Sequence, residues 1–209
     1  MRGQSLIRLH AFCSFATFCF QTFSKNRKIP VMGNVIKRRA KDYDNYSTPE
    51  ICELTFDEID LIQRTWKVPA IKQHDTAEKI FYTYLEKFPD NQQVFQAFRN
   101  TPLLMLKGTP GFRAHASRIF NVFSSVIDAL DKDPEFIAIK KIVADVGRSH
   151  AKRQIKKRSY VELRIVILDS LTDMCKLDDD GIVAWSKLLD IIYHVLFECI
   201  DGNDYQFSQ

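Results

Sequence analysis

Several things are scarce or missing in this chain of 209 residues: glycine and proline (7 of each), acidic side chains at the start, and long apolar runs. The longest apolar run near the N-terminus, Ala11 to Phe20, covers ten positions, whereas a bilayer-spanning helix needs about 20. No Cys-x-x-Cys pair, glycine-rich phosphate loop, His-Glu-x-x-His helix or nucleophile elbow occurs, so the common metallohydrolase, nucleotide-hydrolysing and serine-hydrolase chemistries have no support and no enzyme is expected. The cysteines Cys13, Cys19, Cys52, Cys175 and Cys199 are odd in number and share no repeating spacing. They point to free thiols in a reducing compartment rather than a secreted disulfide framework.

The first 41 residues hold nine Lys or Arg and no acid, which leaves 21 basic against 26 acidic residues in the remainder. The overall charge of +4 therefore hides a domain near −5, and the basic balance is no nucleic-acid surface; no nucleic-acid partner is expected. The apolar run with its flanking Arg2, Arg8, Lys25, Arg27 and Lys28 suits a targeting segment, mitochondrial or secretory, although no clean small-residue cleavage site follows it. A second start at Met32 would expose Gly33 followed by Lys37, Arg38 and Arg39, the lipid-plus-basic-cluster recipe for peripheral membrane association, with Lys37 where the acylation motif prefers Ser or Thr. A disordered basic tail with no address is the plainer alternative. The expected location is cytoplasmic, with membrane association through this segment or a mitochondrial destination as the alternatives.

Beyond residue 41 the chain reads as helix. Only five glycines lie there, no proline follows Pro134, and no segment alternates at period two, so the last third can be unbroken helix and the fold class is all-α. Ala77, Ile80, Phe81, Tyr84, Leu85 and Phe88 recur at core-facing helical spacing, as do Ile182, Trp185, Leu189, Ile192, Val195 and Cys199. Thr55-Phe56-Asp57-Glu58 and Ser159-Tyr160-Val161-Glu162 each read as a capping box, Thr109-Pro110 as a cap with proline at the first helical position, and Asp178 to Asp180 as charge placed for a helix N-terminus. Leu61 to Trp66 reads as the end of the first helix, with the tryptophan on its apolar side.

Two histidines carry the chemistry. His150 continues the apolar face of Ile139, Ile142, Val143 and Val146, and His115 shares a face with Ile119, Val122 and Val126. A lone histidine on an apolar face is more often a satisfied core residue than a ligand. Two such imidazoles turned toward one interior are what a flat metal cofactor requires.

With Trp66 on the first helix, Pro89 opening a short helix, Phe95 and Phe98 spaced i, i+3, and both histidines in register, residues 53–202 resemble the globins, of an invertebrate, nematode-like kind with an N-terminal extension. The resemblance implies a globin fold of helices A–C and E–H around a haem pocket. It divides the chain into a basic, largely disordered extension at 1–52, a globin domain at 53–202 and a polar tail at 203–209. By the same resemblance His150 is the proximal ligand of the iron of haem b (iron protoporphyrin IX), and His115 is the distal histidine and a candidate sixth ligand. Phe95 packs on the haem, Ile119 takes the aliphatic distal position, and Phe81 overhangs the ligand pocket. The 35 residues from His115 to His150 exceed the separation in vertebrate oxygen carriers by a few. The surplus falls in the polar turn Asp131 to Glu135, where added length costs little loop entropy.

The implied function is reversible binding of oxygen and other diatomic gases. A six-coordinate globin in redox signalling, electron transfer or gas sensing, with a redox partner, is the alternative, and a third is a globin-like interaction module without haem. In the basic run Lys152, Arg153, Lys156, Lys157 and Arg158, one or two side chains are expected to meet haem propionates and the others to be solvated or to face an anionic partner.

Overall fold

The first and last helices of this chain start at short polar side chains that satisfy amides no backbone carbonyl can reach. The structure, a computed structural model, describes residues 49, 53–133 and 135–203; the expectations for the extension before Pro49 and for the tail from Asp204 lie outside them. Thr55 caps α1 (Phe56–Ile71): its Oγ1 accepts from the Glu58 amide at 3.2 Å while a Glu58 carboxylate oxygen accepts from the Thr55 amide at 2.8 Å. Asp178 starts α6 (Asp179–Ile200) by accepting from the Gly181 amide. Between them come α2 (Gln73–Lys87), a 3-10 helix at Pro89–Val94 and another at Leu103–Met105, then α3 (Pro110–Ala129), α4 (Ile137–Ala151) and α5 (Lys157–Cys175). Among the described residues there is no strand, and no helix is long and apolar enough to cross a membrane.

Two sequence expectations are corrected. The first helix does not end at Trp66 but continues to Ile71 through Pro69. Proline has no amide to give the Thr65 carbonyl. The Cys175 thiol donates to that oxygen instead, at 3.4 Å, so the helix loses a rung without leaving a buried acceptor empty. The second expected capping box does not form. α5 begins two residues before Ser159, with Lys156 at its cap, and the Glu162 carboxylate, only 2 % exposed, accepts from Asn91 and Arg158 at 2.7 Å each. A buried carboxylate needs its hydrogen bonds and its cation more than the helix start needs a box.

The core forms where these helices cross. Trp66 stacks on Phe120 at 4.6 Å and lies 5.9 Å from Trp185. Both indole N–H groups are satisfied, Trp66 donating to Ser124 and Trp185 to Thr65. Ion pairs fasten the outside, Lys187 to Glu58 between α6 and α1 and Arg113 to Glu78 between α3 and α2. α4 lies along α6, and α3, which carries His115, packs on both α2 and α4.

Candidate functional site

The site has two walls. On the α2–α3 side, Phe81, 1 % exposed, is the hub of an aromatic group. Its ring lies 5.4 Å from Phe95, 4.9 Å from Phe112 and 5.0 Å from His115. Phe95 also meets His115 edge-on at 4.8 Å and stacks on Phe98 at 4.9 Å. The segment carrying Phe95 follows the 3-10 helix and is pinned by Gln92, whose side-chain amide donates to the carbonyls of Phe98 and Thr101. Ile119, one turn after His115, is half-buried and lines an apolar cavity of about 20 Å³ with Trp66, Ile80, Phe81, Ala116 and Phe123.

His115 is neutral in this setting. Burial among the rings, then electrostatic interaction with His150, Arg118 and Arg153, pull its pKa down to about 4. A neutral imidazole keeps one N–H and one lone pair, so His115 can donate a hydrogen bond or bind a metal, but not both through the same nitrogen.

The facing wall is built differently. His150 stands in the last turn of α4, and its Nδ1 lies 2.8 Å from the Val146 carbonyl oxygen. A carbonyl only accepts, so Nδ1 carries the proton and Nε2 carries the lone pair. That is the arrangement in which a backbone acceptor fixes a ligating imidazole's tautomer and orientation. The ring lies edge-on to Tyr160, at 5.8 Å between centroids, and Tyr160 in turn packs on Phe197. The Tyr160 hydroxyl is buried without a hydrogen-bond partner, and burial pushes its pKa up, so it stays protonated.

Sequence reasoning found Phe81, Phe95, His115, Ile119 and His150. The structure brings the first three into ring contact, places Ile119 beside Phe81 and sets His150 on the opposite wall, within electrostatic reach of His115. It missed Phe112, which sits three residues before His115 on the same helical face and was open to the same spacing argument. Tyr160 and the Asn91–Glu162–Arg158 group were missed because only the tertiary fold assembles them. Of the basic run, Arg158 is committed to Glu162 and Lys157 to Asp201, while Arg153 holds the Ser149 carbonyl and hydroxyl near the His150 end of α4.

The donor set suits an iron porphyrin. No group of three or more His, Cys, Asp or Glu among the described residues can hold a bare ion. Two imidazoles on facing walls are the axial donors that an iron already held by four porphyrin nitrogens takes.

The Globin family model matches residues 78–196. Globin CTT-X of the midge Chironomus thummi thummi is 31% identical over 154 residues, covering 74% of this chain and 99% of that protein. A solved Drosophila melanogaster globin, described as a hexa-coordinate hemoglobin in a study of cyanide binding, is 36% identical. It superposes with a TM-score of 0.67 over 69% of this chain and 94% of its own. Hemoglobin component V of Propsilocerus akamusi is 34% identical, with a TM-score of 0.69 over 76% of this chain and 100% of its own.

Proposed function

The chain belongs to the globin family, and from that premise we propose that it holds haem b between His150 and His115 and binds oxygen reversibly, as a binding protein rather than an enzyme. The observation that carries this is the 2.8 Å contact from His150 Nδ1 to the Val146 carbonyl, because it puts the imidazole proton on Nδ1 and leaves the lone pair of Nε2 free to serve as the proximal donor. When bound, the haem supplies an iron whose remaining axial position accepts a diatomic gas.

The side chains then divide the work. His150 anchors the cofactor. Phe81 and Phe95 exclude water and give no hydrogen bond of their own, and Arg153, close enough to act electrostatically on both His115 and Tyr160, is a cation placed to meet a propionate. His115 holds its single proton where an oxygen ligand, with its electron-rich end, gains a hydrogen bond that carbon monoxide gains far less.

A second reading has His115 itself as the sixth iron ligand, in a globin for redox signalling or gas sensing. It is favoured by the neutral His115 imidazole wedged between Phe81 and Phe95, and by the likeness to the hexa-coordinate Drosophila protein. The optical spectrum of the reduced, ligand-free protein separates the two. One broad visible band means an open iron site and supports oxygen storage or transport. Two sharp bands that vanish in His115→Leu mean that His115 occupies the iron. Added haem that keeps the spectrum of free haem in the presence of the purified protein would overturn both.

A further inference from the structure

The helix that carries His150 touches α6 where it has no side chain. The residues buried on that face of α4 shrink toward the histidine, from Ile139 through Val143 and Ala144 to Gly147. The taper lets the two helices draw together at the end that bears His150. A Cβ built on Gly147 would stand 2.7 Å from the Cys199 Cβ, 3.2 Å from the Leu196 carbonyl oxygen and 3.5 Å from the Cys199 sulfur. The first distance is far inside the ~3.5–4.0 Å of favourable carbon–carbon contact. Both nearest atoms are fixed to the α6 backbone, so neither can rotate aside. Gly147 has an ordinary helical backbone with no positive φ, so left-handed freedom does not explain a glycine there, and inside a helix glycine is costly relative to alanine.

We propose that Gly147 is a positioning residue for the iron ligand: the missing side chain seats α4 against Cys199 and Leu196 and so sets where the free nitrogen of His150 stands. This rests on reading His150 as that ligand. Gly147 adjoins Val146, whose carbonyl holds the His150 ring, and lies three residues, less than one turn, from His150. A methyl at 147 pushes α4 away from α6 and moves the carbonyl and the imidazole together. The internal hydrogen bond survives while the donor nitrogen shifts relative to the α2–α3 wall.

The test is the iron–imidazole stretching band in resonance Raman, recorded on the ferrous protein just after photolysis of its carbon monoxide complex, which reports the proximal bond whatever filled the sixth position beforehand. Haem loss to excess apomyoglobin is measured in parallel. Gly147→Ala is expected to shift or broaden the band and to speed haem loss by about 10- to 100-fold, the range for groups that orient a metal ligand. Gly147→Ala/Cys199→Gly, which removes the opposing Cβ, is expected to bring both readouts back toward the parent. An unchanged band with equal or slower haem loss in Gly147→Ala, the behaviour of an ordinary helical glycine, overturns the proposal. Should Gly147→Ala fail to fold, Cys199→Val crowds the same contact from the other side and is expected to shift the band in the same sense; an unshifted band there counts equally against it. His115→Leu/His150→Gly with and without added imidazole isolates the premise, since a band that persists there without imidazole removes the ligand assignment and leaves the packing of Gly147 untouched.

Discussion

The two walls of the pocket are made from different materials. The α2–α3 wall is a cluster of rings, Phe81, Phe95, Phe98, Phe112 and His115, whose positions follow from side-chain packing. The α4 wall is held by backbone: a carbonyl that orients His150, and a glycine that admits α6. Packing of this kind is spread over many contacts and tolerates small substitutions, whereas a wall set by one hydrogen bond and one missing methyl changes position abruptly. The difference suits the roles assigned to each side, a stiff anchor facing an adaptable guard.

The largest expected effect that breaks this contrast is Phe81→Ala. It should cost the apo domain about 3–5 kcal/mol in denaturant unfolding, because a wholly buried ring at the centre of the cluster is lost. A cost under about 1 kcal/mol would show that the ring cluster does not carry the stability of that wall.

Acid sharpens the same contrast. His115 has a folded pKa near 4, below its unfolded value, so the unfolded chain binds the proton more readily between those two values. Stability of the apo domain should therefore fall as pH drops from about 6.5 through about 4, by up to ~3 kcal/mol from this residue. His115→Leu should flatten that part of the profile. An identical pH profile in the variant would mean that the rings around His115 admit water.

A smaller effect is expected at the start of α4. No side chain of its cap residue, Phe136, serves the helix. The Asp133 carboxylate does so instead, accepting from the amides of Ala138 at 2.6 Å and Ile139 at 3.4 Å, with Phe136 held at a positive φ of 55° between them. Asp133→Ala should cost about 1 kcal/mol, read as a drop in the apo melting temperature. No drop would mean that this turn adds length without adding hold. Smallest is Gln154→Gly. Its positive φ of 55°, four residues past His150, favours glycine, and relief of that strain against the added freedom of the unfolded chain leaves a gain of under ~1 kcal/mol. A loss of stability would place the value of Gln154 in its side chain.

Where the sequence was legible, the signal was local. Thr55 with Glu58, Pro89, Pro110, and Asp178 before Gly181 all act within four residues, so the pattern alone located those helix starts; Thr109 stands at its expected cap position, but its hydroxyl donates back to the Leu106 carbonyl and caps nothing. The helical stripes in α2 and α6 were legible for the same reason, and with them the pair of histidines on apolar faces. Ser159 failed because Glu162 is claimed from outside its helix by Asn91. Trp66 failed as a helix end because Cys175, 110 positions after Thr65, supplies the Thr65 carbonyl with the donor that Pro69 lacks. The break between α5 and α6 was not announced by glycine or proline either: Lys176 takes the left-handed turn at φ 53°. Gly147 was visible as a letter, but its meaning lies in Cys199, 52 positions on, which no periodicity connects to it.

The central claim, that the α4 wall anchors the cofactor and the α2–α3 wall guards it, is tested most directly by titrating the apoprotein with haem and following the Soret absorbance in the parent, His115→Leu and His150→Ala. The account predicts a sharp one-to-one endpoint for the parent and for His115→Leu, and weak or non-stoichiometric uptake for His150→Ala. A sharp one-to-one endpoint in His150→Ala, or its loss in His115→Leu alone, would contradict it.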